Sequence, residues 1–178
     1  MSDILVTIVS IGLIAVLMFV VPVMTMADRV DTVSQTDVQT LTSEFINEIK
    51  TTGVLTSDRY SRFVEELNST GNLFDISMEF KILDENPGKK SLQETYDKIG
   101  ENMYYSVYTT QITQQLQSTS ENGGKWRLKE GDMVSITVRN TNLTIGQQVK
   151  DFFYKISGSD EYTIAASQAG LVIANGNV

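Results

Sequence analysis

The chain begins with an apolar run that is long enough to cross a membrane. The run extends from Ile4 to Ala27 without a charged side chain. A helix rises about 1.5 Å per residue, so this run covers about 36 Å and exceeds the roughly 30 Å hydrocarbon core of a bilayer. The first 27 residues therefore predict a membrane-spanning helix, or its equivalent in another apolar environment.

A removable signal peptide is the alternative interpretation of such a run. Signal peptides combine a basic segment, an apolar stretch of about 7–15 residues and a small-residue cleavage site. Here Asp3 is the one charged side chain ahead of the apolar run, which is longer than that stretch. Gly12 and Pro22 interrupt the run, but membrane helices tolerate both where neighbouring helices satisfy the freed backbone groups. The pattern favours a retained span.

A one-sided helix is predicted to follow the span without a linker. The sequence has neither Gly nor Pro between Pro22 and Gly53. Apolar residues recur at helical spacing, at Val30, Val33, Val38, Leu41, Phe45 and Ile49. We expect residues 28–52 to continue the first helix, to end before Gly53 and to pack one side on the rest of the chain.

Residues 53–178 predict a globular α+β head. From Phe74 to Ile82 apolar and polar residues alternate, which predicts a strand with one buried face. Further strands are predicted at 104–108, 126–128, 133–138 and 162–173, short helices at 57–70, 110–117 and 144–157, and a polar loop at 84–102. We expect a small, mostly antiparallel sheet, with short helices, laid against the long helix.

The composition argues against several classes of function. The chain has no His and no Cys, so it lacks the residues for Ser-His and Cys-His nucleophile pairs and the usual zinc ligands. Neighbouring carboxylates such as Glu65 and Glu66 point in different directions and do not form a catalytic pair. A net charge of −8 without a basic stripe disfavours nucleic acid. We expect no enzymatic activity, no cofactor and no metal.

Two glycosylation sequons occur in the chain. They begin at Asn68 and Asn142. A three-residue pattern arises often by chance and has meaning only in a host that glycosylates proteins. The sequence leaves the modification of both asparagines open.

The layout of the first fifty residues resembles the N-terminal helix of processed type IV pilins and pseudopilins. The resemblance consists of an apolar half that contains Gly12 and Pro22 and an amphipathic half that leads into a sheet-bearing head. Three stretches of the head are similar to pilin-like proteins encoded with tight-adherence-type assembly systems in Gram-positive bacteria. These stretches are 45–48, 67–71 and 131–140.

The resemblance implies a structural subunit of an extracellular pilus-like filament. In that family a leader is removed, the new N-terminus is hydrophobic and often methylated, and a nearby acidic residue neutralises a neighbour's amine. Met1 and Asp3 would take these parts here, although Leu5 stands where the family usually has Glu. The assembly residues implied are Met1, Asp3, Ile4, Leu5, Ile8, Ile11, Gly12, Ile14, Leu17 and Pro22.

The same resemblance implies the partners and the location. The subunit would lie in a prokaryotic cell membrane before assembly, meet the pilus assembly machinery, and then contact copies of itself in a helical filament on the cell surface. A single-span, membrane-anchored extracytoplasmic binding module is the alternative function. That alternative predicts a flexible tether after Ala27, where the sequence has no Gly or Pro before Gly53.

Overall fold

The computed structural model describes residues 2–84, 104–118, 124–142, 144, 148, 164–174 and 176. Three helices lie within these ranges: α1 (Ser2–Thr52), α2 (Ser57–Asn68) and α3 (Thr109–Gln117). The strands are β1 (Val54–Thr56), β2 (Phe74–Leu83), β3 (Tyr104–Tyr108), β4 (Lys125–Arg127), β5 (Met133–Asn140) and β6 (Ala165–Leu171). The predicted α+β class is confirmed, with a long N-terminal helix packed on antiparallel sheets.

Helix α1 is one uninterrupted element of 51 residues, about 76 Å long at 1.5 Å per residue. It continues through Pro22. It stops at Gly53, whose N–H donates to the carbonyl of Ile49 at 2.8 Å and whose φ is 67°. A Cβ at Gly53 would lie 2.6 Å from the backbone nitrogen of Gly176. Positive φ and close backbone approach therefore both require glycine at the end of the helix.

The main sheet has four strands in the order β3-β2-β5-β6, and every neighbouring pair is antiparallel. Phe80 of β2 lies opposite Val107 of β3 and Val134 of β5, so the three buried side chains share one face. A second sheet pairs β1 with β4 and places Leu55 opposite Trp126. The sequence did not predict β1, because three residues are too few to show a period of two.

The core lies between this sheet and the second half of α1. The phenyl ring of Phe45 stacks on that of Phe63 from α2, with centroids 4.1 Å apart and planes 5° apart. The fully buried side chains of the core come from α1, α2, α3 and the strands, and they include Val38, Phe45, Ile49, Leu55, Phe63, Phe80, Ile112, Leu128, Val134, Ile136, Val138 and Ile164.

Helix α2 is capped and fastened to α1 as its sequence predicts. The Thr56 hydroxyl accepts a hydrogen bond from the Arg59 backbone N–H at 3.2 Å. The Arg59 guanidinium donates to carboxylates of Glu48 and Glu66 and lies 5.3 Å from the centre of the Phe45 ring. Burial lowers the pKa of Arg59, but the bonds and charges of Glu48 and Glu66 outweigh burial and leave that pKa raised.

Strand β6 is held on α1 by two polar contacts. The Gln35 side-chain amide donates to the Ala165 carbonyl at 2.6 Å and accepts from the Ala165 N–H at 3.0 Å. Further along, the Lys50 side chain crosses Gly170, where an added Cβ would lie 2.4 Å from the Lys50 Cδ. The close approach predicted at Gly170 is confirmed, and the pairing of β5 with β6 passes it without a bulge.

Most of the predicted elements have counterparts among the described residues. The strands at 74–82, 104–108 and 133–138 and the helices at 57–70 and 110–117 are present with boundaries shifted by a few residues. The predicted break at 130–132 separates β4 from β5. The predicted helix at 144–157 and the loop at 85–102 fall outside the described residues, apart from positions 144 and 148.

Candidate assembly surface

The first half of α1 carries its apolar side chains on the surface of the subunit. The large hydrophobic residues between Ile4 and Met26 that are exposed have 47–74% of their surface accessible. The most apolar 18-residue window of the helix has a mean hydropathy of 3.1, and none of that window is buried. By length and composition the helix can cross a membrane.

The structure places nine of the ten predicted assembly residues on this exposed segment. All nine are exposed, and they are Asp3, Ile4, Leu5, Ile8, Ile11, Gly12, Ile14, Leu17 and Pro22. They are distributed around the helix instead of forming one cluster, because a helix turns about 100° per residue. Met1 lies outside the described residues. Such an arrangement suits a segment that is surrounded, by lipid or by several apolar helices.

Two residues in this segment affect how closely another helix can approach. A Cβ built on Gly12 would find no atom within 4 Å, so the backbone there is open to a neighbour. Pro22 has no N–H, so the carbonyl of Met18 loses its donor from the i→i−4 pattern. A close neighbour can therefore pack on Gly12 and re-satisfy the backbone near Pro22.

The hydroxyl groups of this half are satisfied within the helix itself. The Thr7 hydroxyl donates to the Asp3 carbonyl at 2.8 Å, and the Thr25 hydroxyl donates to the Val21 carbonyl at 2.9 Å. An unsatisfied hydroxyl in an apolar environment costs a few kcal/mol, whereas these make the bond before leaving water. The two threonines are thus compatible with lipid or with a filament core.

Burial begins at Ala27 and follows one stripe to the end of α1. After Ala27 the stripe takes in Asp31, Ser34 and Val38, and it continues through Phe45 to Ile49. The spacings of three and four residues average close to 3.7, so the stripe stays on one side of the helix. The head therefore covers a single side of α1 from Ala27 onward.

The predicted apolar stripe is wrong at its first two members. Val30 and Val33 are 57% and 59% exposed, whereas Val38, Phe45 and Ile49 are buried and Leu41 is half-buried. The head contacts the small and polar side chains of Ala27, Asp31 and Ser34 on a different side of the helix. Helical spacing alone could not separate the side that meets the head from the side left exposed.

An exposed apolar strip therefore extends beyond the span. It consists of Val23, Met26, Val30 and Val33, which recur every three or four residues. The sequence interpretation missed this strip because it assigned Val30 and Val33 to the core. Over residues 4–33 the apolar surface of α1 is about 45 Å long, more than a bilayer core requires.

Charge is sparse along the strip, and its one cation is accessible. Between Met1 and Ile49 the only basic side chain is that of Arg29. Arg29 is exposed and forms no ion pair within 4.0 Å to another residue of the described ranges. With Thr25, Asp28, Thr32 and Val33 it lines a shallow depression of about 310 Å³.

A second depression lies on the head, near the start of β3. It measures about 350 Å³ and its lining includes Tyr105, Trp126, Arg127 and Asp132. The Asp132 carboxylate accepts backbone N–H groups of Leu83 and Lys129, each at 2.8 Å, so it organises the turn before β5. Among the described residues no group of three His, Cys, Asp or Glu side chains could hold a metal ion.

The two sequons differ in their surroundings. The Asn142 side-chain oxygen accepts the Leu73 N–H at 2.8 Å and so joins the end of β5 to the start of β2. Asn68 is exposed at the last residue of α2. A glycan on Asn142 would compete with a structural hydrogen bond, whereas Asn68 faces solvent.

Comparison with known proteins found no family model, no curated protein and no solved structure that matches the chain. The functional argument consequently depends on α1, on which the exposed apolar half and the head-bound half form one element.

Proposed function

We propose that this chain is a structural subunit of a pilus-like extracellular filament and that it assembles through the apolar half of α1. The observation that carries the proposal is the continuity of α1 from Ser2 to Thr52, with an exposed apolar half and a half fixed on the head. A subunit of this shape can pack its apolar helix among copies of itself while the heads remain outside.

The exposed area supports a segment that is covered in its working state. Soluble monomers rarely expose contiguous apolar patches of more than a few hundred Å². In the first half of α1 every residue from Asp3 to Phe19 is exposed. Lipid tails cover this surface before assembly, and apolar helices of neighbouring subunits cover it afterwards.

Transfer from lipid into a helix bundle needs little change in solvation. Lipid tails are as apolar as Leu side chains, so packing geometry and hydrogen bonding decide whether membrane helices associate. Gly12 permits close approach, and Thr7 and Thr25 carry their hydroxyl bonds with them. The segment is therefore suited to either environment.

A rigid connection between the two halves transmits position from the apolar helix to the head. Phe45 and Ile49 are fully buried in the core, and Gln35 holds β6 on the same helix. A regular array of α1 helices would accordingly give a regular array of heads. This is the property that a filament subunit requires.

A membrane-anchored binding module is the second candidate, and the depression beside Tyr105 and Trp126 favours it. That function needs the span only as a tether. The uninterrupted helix across Ala27 supports the filament instead, since a tether works best when it is flexible.

Shearing of the cell surface followed by electron microscopy and mass spectrometry tests the proposal. We expect released filaments that contain this chain, with an N-terminus produced by leader cleavage or methylated. Chains that stay in the membrane as single copies, with a head that binds a defined ligand, would support the binding module and contradict the filament.

A further inference from the structure

The charges that flank the apolar segment of α1 are of opposite sign and far apart. Asp3 precedes the segment, Arg29 follows it, and no charged residue lies between Asp3 and Asp28. The two are 26 positions apart in one continuous helix, which is about 39 Å along its axis. Within one subunit Asp3 and Arg29 therefore cannot meet.

Copies dispersed in a membrane cannot make this pair either. They share one orientation and one depth, so Asp3 of one copy is level with Asp3 of the next. Two parallel helices bring Asp3 and Arg29 together only when one is shifted by about 26 residues along the other. The pairing thus distinguishes an assembled, staggered state from the dispersed state.

We propose that Asp3 of one copy pairs with Arg29 of a second copy and that this pair sets an axial stagger of about 39 Å between their α1 helices. The inference depends on the proposed filament function and adds the contact that fixes its register. The occupant of the exposed strip Val23, Met26, Val30 and Val33 is then the first turns of the neighbour's helix.

The chemistry of the two groups supports the pair. A carboxylate that enters an apolar helix bundle needs a cation nearby, and Arg29 is the only basic side chain in the first 49 residues. A carboxylate accepts hydrogen bonds at about four positions, so a contact within its own subunit leaves room for a neighbour. The guanidinium offers a planar set of donors that binds a carboxylate through two bonds.

The position of Arg29 also favours contact with another copy. Arg29 is exposed, and by helical period it lies opposite the buried residues Ala27 and Asp31. Val33 and Thr25 line the depression beside it. A neighbouring helix can reach the guanidinium there without displacing the head.

The pair explains why association would give a filament instead of a closed dimer. Asp3 and Arg29 belong to different patches of the subunit, so the interface is head-to-tail. A head-to-tail interface leaves one Asp3 and one Arg29 open at the ends of every oligomer, and repetition gives an open helical polymer when the rotation does not close. An in-register dimer would instead place like charges side by side.

Charge reversal tests the pair through rescue. We expect Asp3→Arg and Arg29→Asp each to lower the yield of sheared filaments by about tenfold or more, and the double variant to recover to within about threefold of wild type. Membrane levels of all variants are measured as the control. Loss without rescue would overturn the pair and assign Asp3 to the neighbour's α-amino group or to the assembly machinery.

Cysteine crosslinking tests the stagger itself, since the chain has no native Cys. A shift of 26 residues places Thr7 level with Val33 of the neighbour, within reach of a disulfide if the facing sides match. We expect Thr7→Cys with Val33→Cys to give a ladder of linked multimers in sheared filaments, and neither single variant to give one. Dimers from Thr7→Cys alone would show in-register helices and overturn the stagger.

The outcomes separate this inference from the proposed function. Wild-type filaments whose yield is unchanged by both single reversals would overturn the pair and leave the filament function standing. A wild-type chain that forms no filaments overturns both.

Discussion

The two halves of α1 obey the same helical geometry but are stabilised by different surroundings. Phe19 in the first half is 73% exposed, whereas Phe45 in the second half is completely buried against the head. The first half needs lipid or other helices to cover it, and the second half finds its cover within the same chain. One helix can therefore belong to two environments without a hinge between them.

The halves also differ in how their polar groups are satisfied. In the first half, Thr7 and Thr25 bond to carbonyls of their own helix. In the second half, Gln35 and Glu48 make contacts outside the helix, to β6 and to Arg59 of α2. Self-contained polar groups allow a change of environment, whereas polar contacts to other elements fix α1 on the head.

The largest expected effect comes from truncating Phe45. Removal of a fully buried phenyl ring that stacks on Phe63 should destabilise the head by about 3–5 kcal/mol. Phe19→Ala is the matched control in the same helix and should leave head stability unchanged. Chemical unfolding of the full chain in detergent micelles measures both, and equal losses would contradict the division of α1 into two halves.

A substitution at Gly12 sharpens the comparison from the other side. Gly12→Leu makes the segment more apolar and meets no atom within 4 Å, so membrane insertion and head stability should be retained. We expect sheared filament yield to fall about tenfold or more because neighbouring helices lose close approach.

Ser10→Leu is the control for Gly12→Leu, since it adds a leucine side chain on nearly the opposite side of the helix. Quantification of sheared filaments against total membrane protein checks both variants. Normal yield from Gly12→Leu would remove Gly12 from the assembly surface.

The polar attachment of β6 predicts a smaller loss. Gln35→Ala removes two hydrogen bonds to Ala165 and should cost about 1–3 kcal/mol of unfolding free energy. Gln39→Ala, at an exposed position of α1, should cost less than about 0.5 kcal/mol. Urea unfolding distinguishes the two, and similar values would mean that α1 holds β6 by apolar packing alone.

The smallest effect is expected at the ion pairs of α2. Glu48 and Glu66 are nearly half exposed, which limits the contribution of their pairs with Arg59. Arg59→Met should cost about 1 kcal/mol, mostly retained at high salt because packing over Phe45 contributes. Arg62→Met, in an exposed pair with Asp58, should change stability by less than about 0.5 kcal/mol.

Local patterns predicted the elements whose burial matches their own period. The alternation in β2, the Thr56 cap of α2 and the uninterrupted path through Pro22 are all confirmed. The strand β1 was missed because it depends on pairing with β4 and not on a pattern of its own. The assembly residues were placed by resemblance, and the structure adds Val30, Val33 and Arg29 to the same surface.

The sequence by itself determined that an apolar segment longer than a bilayer core continues without a break into a helix with one apolar side. Only the tertiary structure decided which side of that helix meets the head, with Ala27, Asp31 and Ser34 covered and Val30 and Val33 exposed. It also decided that Gln35 holds Ala165 and that Lys50 crosses Gly170. The reason is that hydropathy records how strongly a side chain avoids water, whereas the surface that covers it is set by contacts distant in the sequence.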